Sequence, residues 1–197
     1  MKIRFVIAAA AIATIWVAGS AAAAPVKYTL DPNHSYPSFE ADHFGGLSTW
    51  RGKFNKSSGT VVYDKEAGSG TLDITIDTAS IDTGHDKLND HLKSNEKGMF
   101  DVAKYPTATY TGKLAKFVDG APTEVDGTLT LHGVSKPVTL KIDHCCCRPH
   151  PMKKGKNVCG ANASANLDRG DFGIDWGKSY GFGMDVKLAI QVEALTD

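Results

Sequence analysis

Residues 184–193 read MDVKLAIQVE, and this stretch decides the fold class. Every second residue from Met184 to Val192 is apolar, and the residues between them, Ala189 apart, are polar or charged. Successive side chains of a β-strand point to opposite faces of a sheet, so a period of two predicts a strand with one dry and one wet face. Residues 71–77 and 138–143 repeat the pattern as TLDITID and VTLKID. The alternation is typical of antiparallel sheets with one solvated side.

Turn-forming residues divide the rest of the chain into further candidate strands. Gly45-Gly46, Asp119-Gly120 and His132-Gly133 are among these turns. The weaker candidate strands span residues 35–43, 49–55, 60–63, 107–117, 125–131 and 162–167. A total of about eight or nine strands with short connections predicts a barrel or a sandwich.

One segment breaks the period of two and predicts a short helix. Asp82 and Thr83 can cap its start, and we expect the helix to end at about Ser94. Leu88 and Leu92 lie four positions apart and therefore share one helix face. Because so short a helix is unstable alone in water, we expect it to lie on the barrel or to close one end of it.

The first 23 residues predict a secretory signal peptide. Lys2 and Arg4 precede an uncharged apolar run of about 13 residues, which is shorter than the roughly 20 residues of a membrane-spanning helix. Cleavage after Ala23 satisfies the Ala-x-Ala rule. We therefore expect residues 1–23 to be removed on export and residues 24–197 to form one domain without a transmembrane segment.

The charge balance argues against some classes of partner. The chain has 22 basic and 22 acidic residues, and removal of Lys2 and Arg4 leaves 20 basic residues against 22 acidic ones. No stretch is strongly basic, so neither nucleic acid nor an anionic membrane surface is expected as a partner.

The sequence leaves open whether the predicted barrel is hollow. An eight-stranded barrel is just wide enough for its own side chains or for one slender ligand. Small residues among large ones can leave a channel, or they can mark strongly bent strands where bulk does not fit. The inward faces mix bulky residues with small ones, namely Phe39, Trp50, Phe54, Tyr110, Phe172 and Trp176 with Ala41, Gly52, Ala108, Gly112 and Gly127.

A series of short motifs runs in order along residues 28–195. The most specific is GTLTLHGVSKPV at residues 127–138, and others are DPNHS at 31–35, SIDTG at 80–84, DHLKS at 90–94 and RGDFGI at 169–174. In this order and spacing they resemble the YceI-like family of periplasmic proteins, also described as polyisoprenoid-binding or lipid-binding, lipocalin-like proteins.

The resemblance implies an all-β fold: an eight-stranded antiparallel lipocalin-like β-barrel with one short helix near the barrel mouth. It also implies a periplasmic location, a long apolar pocket, no enzymatic activity and, often, a homodimer. The implied ligand is a lipid-like small molecule, such as an isoprenoid quinone, a polyprenyl compound or a fatty-acid amide or other fatty-acid derivative. No cofactor and no metal are required.

Face assignment selects the residues expected to contact such a ligand, although a slip of one residue in register would overturn the set from any one strand. The expected lining residues are Phe39, Trp50, Phe54, Leu72, Ile74, Phe100, Tyr110, Leu129, Phe172 and Met184. His34, His43 and Asp90 are candidates for contact with a head group at the mouth.

His34 and His43 also allow a catalytic interpretation, in which the protein hydrolyses a lipid. We expect His34 and Ser35 to fix a loop by hydrogen bonds instead, and we assign no catalytic residue. His85 and His91 lie six positions apart, so they do not share a helix face as metal ligands would.

The four cysteines are Cys145, Cys146, Cys147 and Cys159, and they allow three fully paired connectivities. With His144 and His150 they could instead form a zinc or copper site. The family resemblance implies a bridge between Cys147 and Cys159, because CRPHP at 147–151 and CG at 159–160 match a segment common in the family. In an extended strand Cys145 shares a face with Cys147, so a swapped bridge stays open. Free Cys145 and Cys146 would suit a redox or stress accessory protein, a third alternative to a carrier and a hydrolase.

Overall fold

The structure is a computed structural model that describes residues 24–196. The predicted signal peptide, residues 1–23, lies outside the described residues. The strands are β1 (Val26–Leu30), β2 (Tyr36–His43), β3 (Ser48–Phe54), β4 (Ser57–Asp64), β5 (Ser69–Asp77), β6 (Ile81–Asp82), β7 (Thr107–Val118), β8 (Ala121–Leu131), β9 (Val134–Pro149), β10 (Asn157–Asp168) and β11 (Asp185–Thr196). One α-helix, α1, spans Asp86–Lys93 within the same range. No helix of residues 24–196 combines the length and the apolar character needed to cross a membrane.

The strands build a closed antiparallel barrel with eight wall strands. Three of these are interrupted, since β1 continues into β2, β3 into β4 and β5 into β6. The other five, β7 to β11, are continuous. Strand β11 closes the wall, because it pairs with β10 on one edge and with both β2 and β1 on the other. The predicted eight-stranded antiparallel barrel with one short helix is thereby confirmed.

The break between β1 and β2 is held by side-chain hydrogen bonds. The Ser35 hydroxyl, which is fully buried, donates to the carbonyl of Glu193 at 3.0 Å and accepts from the Glu193 N–H at 3.2 Å. The Ser57 hydroxyl donates to the Ser35 carbonyl at 3.0 Å. These bonds replace the ladder bonds that the interrupted strand cannot make, because buried polar groups need partners.

The two ends of the barrel carry different connections. At one end lie α1, the β2–β3 turn, the β8–β9 turn and the loop of residues 169–184, and we call this the helix end. At the other end lie the β4–β5 and β7–β8 turns and the β9–β10 loop, and we call this the hairpin end. The two ends of the barrel therefore differ in the chain connections that they carry.

The helix begins later than the sequence predicts. His85 is its N-cap, with Nδ1 accepting from the Leu88 N–H at 3.1 Å, so the expectation that Asp82 or Thr83 caps it is wrong. Gly84 adopts a left-handed conformation (φ 73°) and turns the chain before the helix starts. Asp82 is used elsewhere, since its carboxylate accepts from the Gly84 N–H at 2.8 Å. Ser94 is the C-cap, as expected.

Candidate functional site

The barrel is hollow, and its interior is a cavity of about 840 Å³. This volume lies within the range of roughly 300–1,000 Å³ that is typical of small-molecule sites. Apolar residues from every wall strand line it, among them Leu72, Ile74, Leu129, Leu140 and Leu188. The cavity reaches from His43 and Phe44 at the helix end to Asp119 and Cys145 at the hairpin end. The structure thus decides for the hollow alternative.

Glycines explain how large rings coexist with an open interior. A Cβ atom at Gly52 would fall 2.5 Å from Cζ of Phe39, which is directly opposite it on the neighbouring strand. A Cβ atom at Gly127 would fall 2.5 Å from Cζ of Tyr110. Both rings therefore lie against the wall, in space that any other residue would fill. The small inward residues leave room for rings to lie flat, and the centre of the barrel stays free.

Tyr110 is also fixed by its hydroxyl. The phenolic oxygen lies 2.7 Å from the carbonyl oxygen of Val138 and 3.1 Å from that of Val125, so one O–H group is shared between two backbone acceptors. Burial raises the pKa of Tyr110 to about 12, and the group stays neutral at physiological pH. This side chain presents a neutral ring surface to the cavity, and its polar atom is already occupied.

Two of the charged groups that line the cavity, Arg169 and Asp42, are engaged by backbone. The Arg169 guanidinium donates to the carbonyls of Ile174 at 2.8 Å and Trp176 at 3.0 Å, and its burial lowers the pKa of the group. The Asp42 carboxylate accepts from the N–H groups of Gly183, Gly46 and Gly45, and these bonds hold its pKa below the ordinary value. Because these two charged groups are already hydrogen-bonded, they stabilise the loops and do not need a charged ligand as a partner.

Imidazole and indole rings surround the cavity at the helix end. His43 lies 5.7 Å from both Trp50 and Phe182, measured between ring centroids. His85 lies 6.3 Å from Trp50. Because Nδ1 of His85 accepts from the Leu88 N–H, its neutral ring carries the proton on Nε2 and can donate it to a ligand.

Glu96 joins two parts of this end. Its Oε1 accepts from the Trp176 indole N–H at 2.8 Å, and its Oε2 lies 2.8 Å from Nε2 of His91. The indole bond, and then the His91 bond, hold the pKa of Glu96 below its ordinary value. A single carboxylate thereby connects the end of α1 to the loop of residues 169–184.

Helix α1 closes part of the helix end. Leu88 and Leu92, the two residues predicted to share a face, both line the cavity. Met99 and Phe100, just after the helix, line it as well, and the Phe100 ring lies 6.0 Å from that of Phe54. Leu88, Leu92 and Met99 were not among the predicted lining residues. The i, i+4 spacing of the two leucines was the signal that could have found them.

The predicted lining residues divide into two groups. Those that line the cavity are Phe39, Trp50, Phe54, Leu72, Ile74, Phe100, Tyr110 and Leu129. Phe172 and Met184 do not line it, and their assignment needs correction. Phe172 lies in a 3-10 turn after β10, where the period of two has ended, and only 1% of it is exposed. Met184 comes just before β11, and it is buried beside Gly170.

Of the three candidates for head-group contact, only His43 lines the cavity. His34 lies at the β1–β2 break, with Nδ1 2.9 Å from Oδ2 of Asp31, and its side chain is 57% exposed. The adjacent hydrogen bond raises the pKa of His34 and lowers that of Asp31. Asp90 is exposed on α1. The break and the outer helix face keep these two residues away from the cavity, so their assignment to its mouth is corrected.

His34 and Ser35 are not arranged as the catalytic residues of a hydrolase. The Ser35 hydroxyl is engaged by the backbone of Glu193, and the His34 imidazole is engaged by Asp31. Residues 177–181 read GKSYG and match the G-x-S-x-G pattern of serine hydrolases. Ser179 of this pattern is exposed in a 3-10 turn between Gly177 and Gly181, and not in the strand-to-helix elbow that such hydrolases use.

The structure bonds Cys147 to Cys159, which face each other in the β9–β10 ladder. Cys145 is free and half-buried in the cavity wall, with Sγ 3.8 Å from the Pro122 carbonyl oxygen. Burial, and then the neighbouring Cys146, raise the pKa of the Cys145 thiol, which lowers its reactivity. Cys146 is free and exposed. Within residues 24–196 no three His, Cys, Asp or Glu side chains are placed to hold a metal ion.

Comparison with known proteins adds a family to this geometry. A family model described as "YceI-like domain" matches residues 28–194. A UPF0312 protein of Pectobacterium atrosepticum is 35% identical over 188 residues, which cover 94% of this chain and 93% of that protein. Protein YceI of an Escherichia coli strain is 35% identical over 181 residues, covering 90% of each chain.

Solved structures share the barrel. The YceI protein of Campylobacter jejuni superposes with a TM-score of 0.64 at 28% identity, covering 77% of this chain and 87% of that one. A polyisoprenoid binding domain from Saccharophagus degradans gives a TM-score of 0.62 at 20% identity, covering 87% of this chain and 99% of that one. The second likeness shows the fold alone.

Proposed function

We propose that this chain, which belongs to the YceI-like domain family, binds and carries a long apolar molecule inside its barrel. The proposed ligands are isoprenoid quinones, polyprenyl compounds and fatty-acid derivatives. The observation that carries the proposal is the apolar cavity of about 840 Å³ along the barrel. The name of the polyisoprenoid binding domain from Saccharophagus degradans supports the same class of ligand.

The driving force for such binding is hydrophobic. Each methylene group that leaves water contributes about 0.8 kcal/mol, so a tail of several isoprene units has ample gross driving force. Part of this free energy is offset by the ordering of the tail. Since Arg169 and Asp42 are already hydrogen-bonded to backbone groups, neither needs a polar contact from the ligand.

The polar end of the ligand is proposed to lie at the helix end. His43 lines the cavity there, and Nε2 of His85 can donate a hydrogen bond. A few placed polar groups at the mouth of an apolar site commonly fix the orientation of a ligand. We further propose that the protein acts as a binding protein and not as an enzyme, in the periplasm, after export by the N-terminal signal predicted from residues 1–23.

Organic-solvent extraction of the purified protein, followed by mass spectrometry, tests the proposal. We expect a long-chain amphiphile in stoichiometric amount. A matched pair of variants tests the location of the ligand. Ala163 lines the cavity and is 8% exposed, whereas Ala189 is exposed on the neighbouring strand. Ala163→Phe should narrow the lumen and reduce retained ligand about tenfold or more, and Ala189→Phe should leave retention unchanged.

Two results would count against the proposal. One is recovery of only protein and buffer components from the wild-type extract. The other is equal retention by the folded Ala163→Phe and Ala189→Phe variants. Because overpacking costs about 1–3 kcal/mol, circular dichroism must first show that the Ala163→Phe variant is folded.

A further inference from the structure

Two loops at the helix end expose large apolar side chains. Phe44 is 57% exposed and Leu47 is 77% exposed, both in the β2–β3 turn, and Tyr180 is 72% exposed in the loop of residues 169–184. We call these three residues the apolar rim. Single exposed apolar residues are common, but several side by side at the mouth of a cavity suggest an interaction surface.

Specific contacts hold the two loops of the apolar rim in place. The Asp42 carboxylate accepts from Gly45 and Gly46 in the turn and from Gly183 in the other loop, which ties the two loops together. Phe44 adopts a left-handed backbone conformation (φ 53°), which is unfavourable for a bulky residue. Its ring packs 4.8 Å from that of Phe182. The fold therefore holds an apolar ring towards solvent at a cost in backbone strain.

The rim continues into the cavity. Phe44 lines the cavity itself, and so do its neighbours His43 and Phe182. Under the proposed function, a ligand tail that entered from water would have to leave a bilayer first. Each methylene group exposed on the way slows transfer by about fourfold, so about a dozen slow it on the order of ten-million-fold. A mouth placed against the bilayer avoids this exposure.

The chemistry of the two loops fits a lipid surface. Residues 43–50 and 176–184, which carry the rim, include one cation, Lys178, and no acidic residue, whereas the first part of the second loop contains Arg169, Asp171 and Asp175. Trp50, Trp176 and Tyr180 are of the types that favour the membrane–water interface. The hairpin end differs in charge, because Lys65 and Asp119 line the cavity there and the β9–β10 loop carries Lys153, Lys154 and Lys156, although Val118 and Met152 are also exposed at that end. We propose that the helix end docks on a lipid bilayer through Phe44, Leu47 and Tyr180, so that the ligand passes between membrane and cavity without crossing water.

Vesicle flotation with the mature chain tests this proposal, which rests on the proposed function. The probe is vesicles of phosphatidylethanolamine and phosphatidylcholine, which carry no net charge, because the proposed contact is apolar. We expect the wild-type protein to float with the vesicles. Leu47→Asp and Tyr180→Asp replace rim residues that do not line the cavity, and each should lower the bound fraction about tenfold or more. Met152→Asp, at a position 86% exposed in the β9–β10 loop, is the matched control and should float like the wild type.

Three outcomes would overturn the docking proposal. The first is the absence of wild-type protein from the vesicle fraction. The second is a loss of binding in Met152→Asp equal to that in the rim variants. The third is a change of Leu47→Asp from dimer to monomer with unchanged flotation, which would make the rim a protein interface. Solvent extraction of the same samples keeps the two proposals distinguishable. Ligand in the extract with no flotation removes docking alone, and flotation with an empty extract removes the proposed function.

Discussion

The hairpin end and the helix end of the barrel are closed by different means. Short turns between neighbouring strands close the hairpin end, and a disulfide joins Cys147 to Cys159, only 12 positions apart. At the helix end the contacts join distant segments, as in the Trp176–Glu96 bond across 80 positions and the Gly183–Asp42 bond across 141. The hairpin end also has longer links, such as the hydrogen bond from the Tyr63 hydroxyl to the Gly120 carbonyl across 57 positions, but it adds a local covalent link that the helix end does not have in the described residues.

This difference gives the cavity a direction, although the wall strands alternate in the same way throughout. Local links persist when more distant parts of a structure open, because they need few other contacts. The helix end, where loops and α1 meet, is therefore the end expected to open for ligand exchange. The hairpin end is expected to remain closed and to determine the stability of the barrel base.

The largest expected effect comes from removing the link at the hairpin end. The double variant Cys147→Ser/Cys159→Ser should lose about 3 kcal/mol of unfolding free energy, because a closed loop of this size restricts the unfolded chain by about that amount. Urea denaturation measures the loss. Ligand retention at low denaturant should stay unchanged, since the ligand is proposed to enter at the other end.

The control for this experiment is Cys146→Ser, because Cys146 is free and exposed. It should change the unfolding free energy by less than about 0.5 kcal/mol. If the double variant keeps its stability but releases its ligand, the roles that we assign to the two ends are reversed.

A smaller effect is expected from the wall between the ends. Gly127→Ala would place a Cβ atom 2.5 Å from Cζ of Tyr110, so the ring must move into the lumen. We expect a loss of about 1–3 kcal/mol in unfolding free energy, together with reduced ligand retention. Gly160→Ala is the matched control, because its nearest neighbours would lie 3.8 Å away. Similar ligand retention in both variants would show that the flat ring does not keep the cavity open.

The sequence predicted the wall much better than the ends. The alternation in residues 184–193 depends only on the strand period, and it places Val186, Leu188 and Ile190 in the cavity wall. The alternation of side chains gives no information beyond the end of a strand. For this reason Phe172 and Met184 were assigned wrongly to the cavity lining. The alternation also could not decide between a hollow and a filled barrel. That outcome depends on whether rings such as Tyr110 lie flat on glycine or cross the lumen, and ring orientation is a property of the packed structure.

The smallest expected effect is a loosening of the helix end in acid. Glu96 has a pKa below its ordinary value in the folded protein, so its bonds to Trp176 and His91 stabilise the fold above that ordinary value, near pH 4.5. This contribution is lost as the pH falls below about 4.5 and through the folded pKa. Trp176 fluorescence should therefore change reversibly in this window in the wild-type protein. Glu96→Gln should show the acid spectrum already at neutral pH, with little further change on acidification. If the variant keeps the full pH response, another group opens this end, and the Glu96 link is not what distinguishes it from the hairpin end.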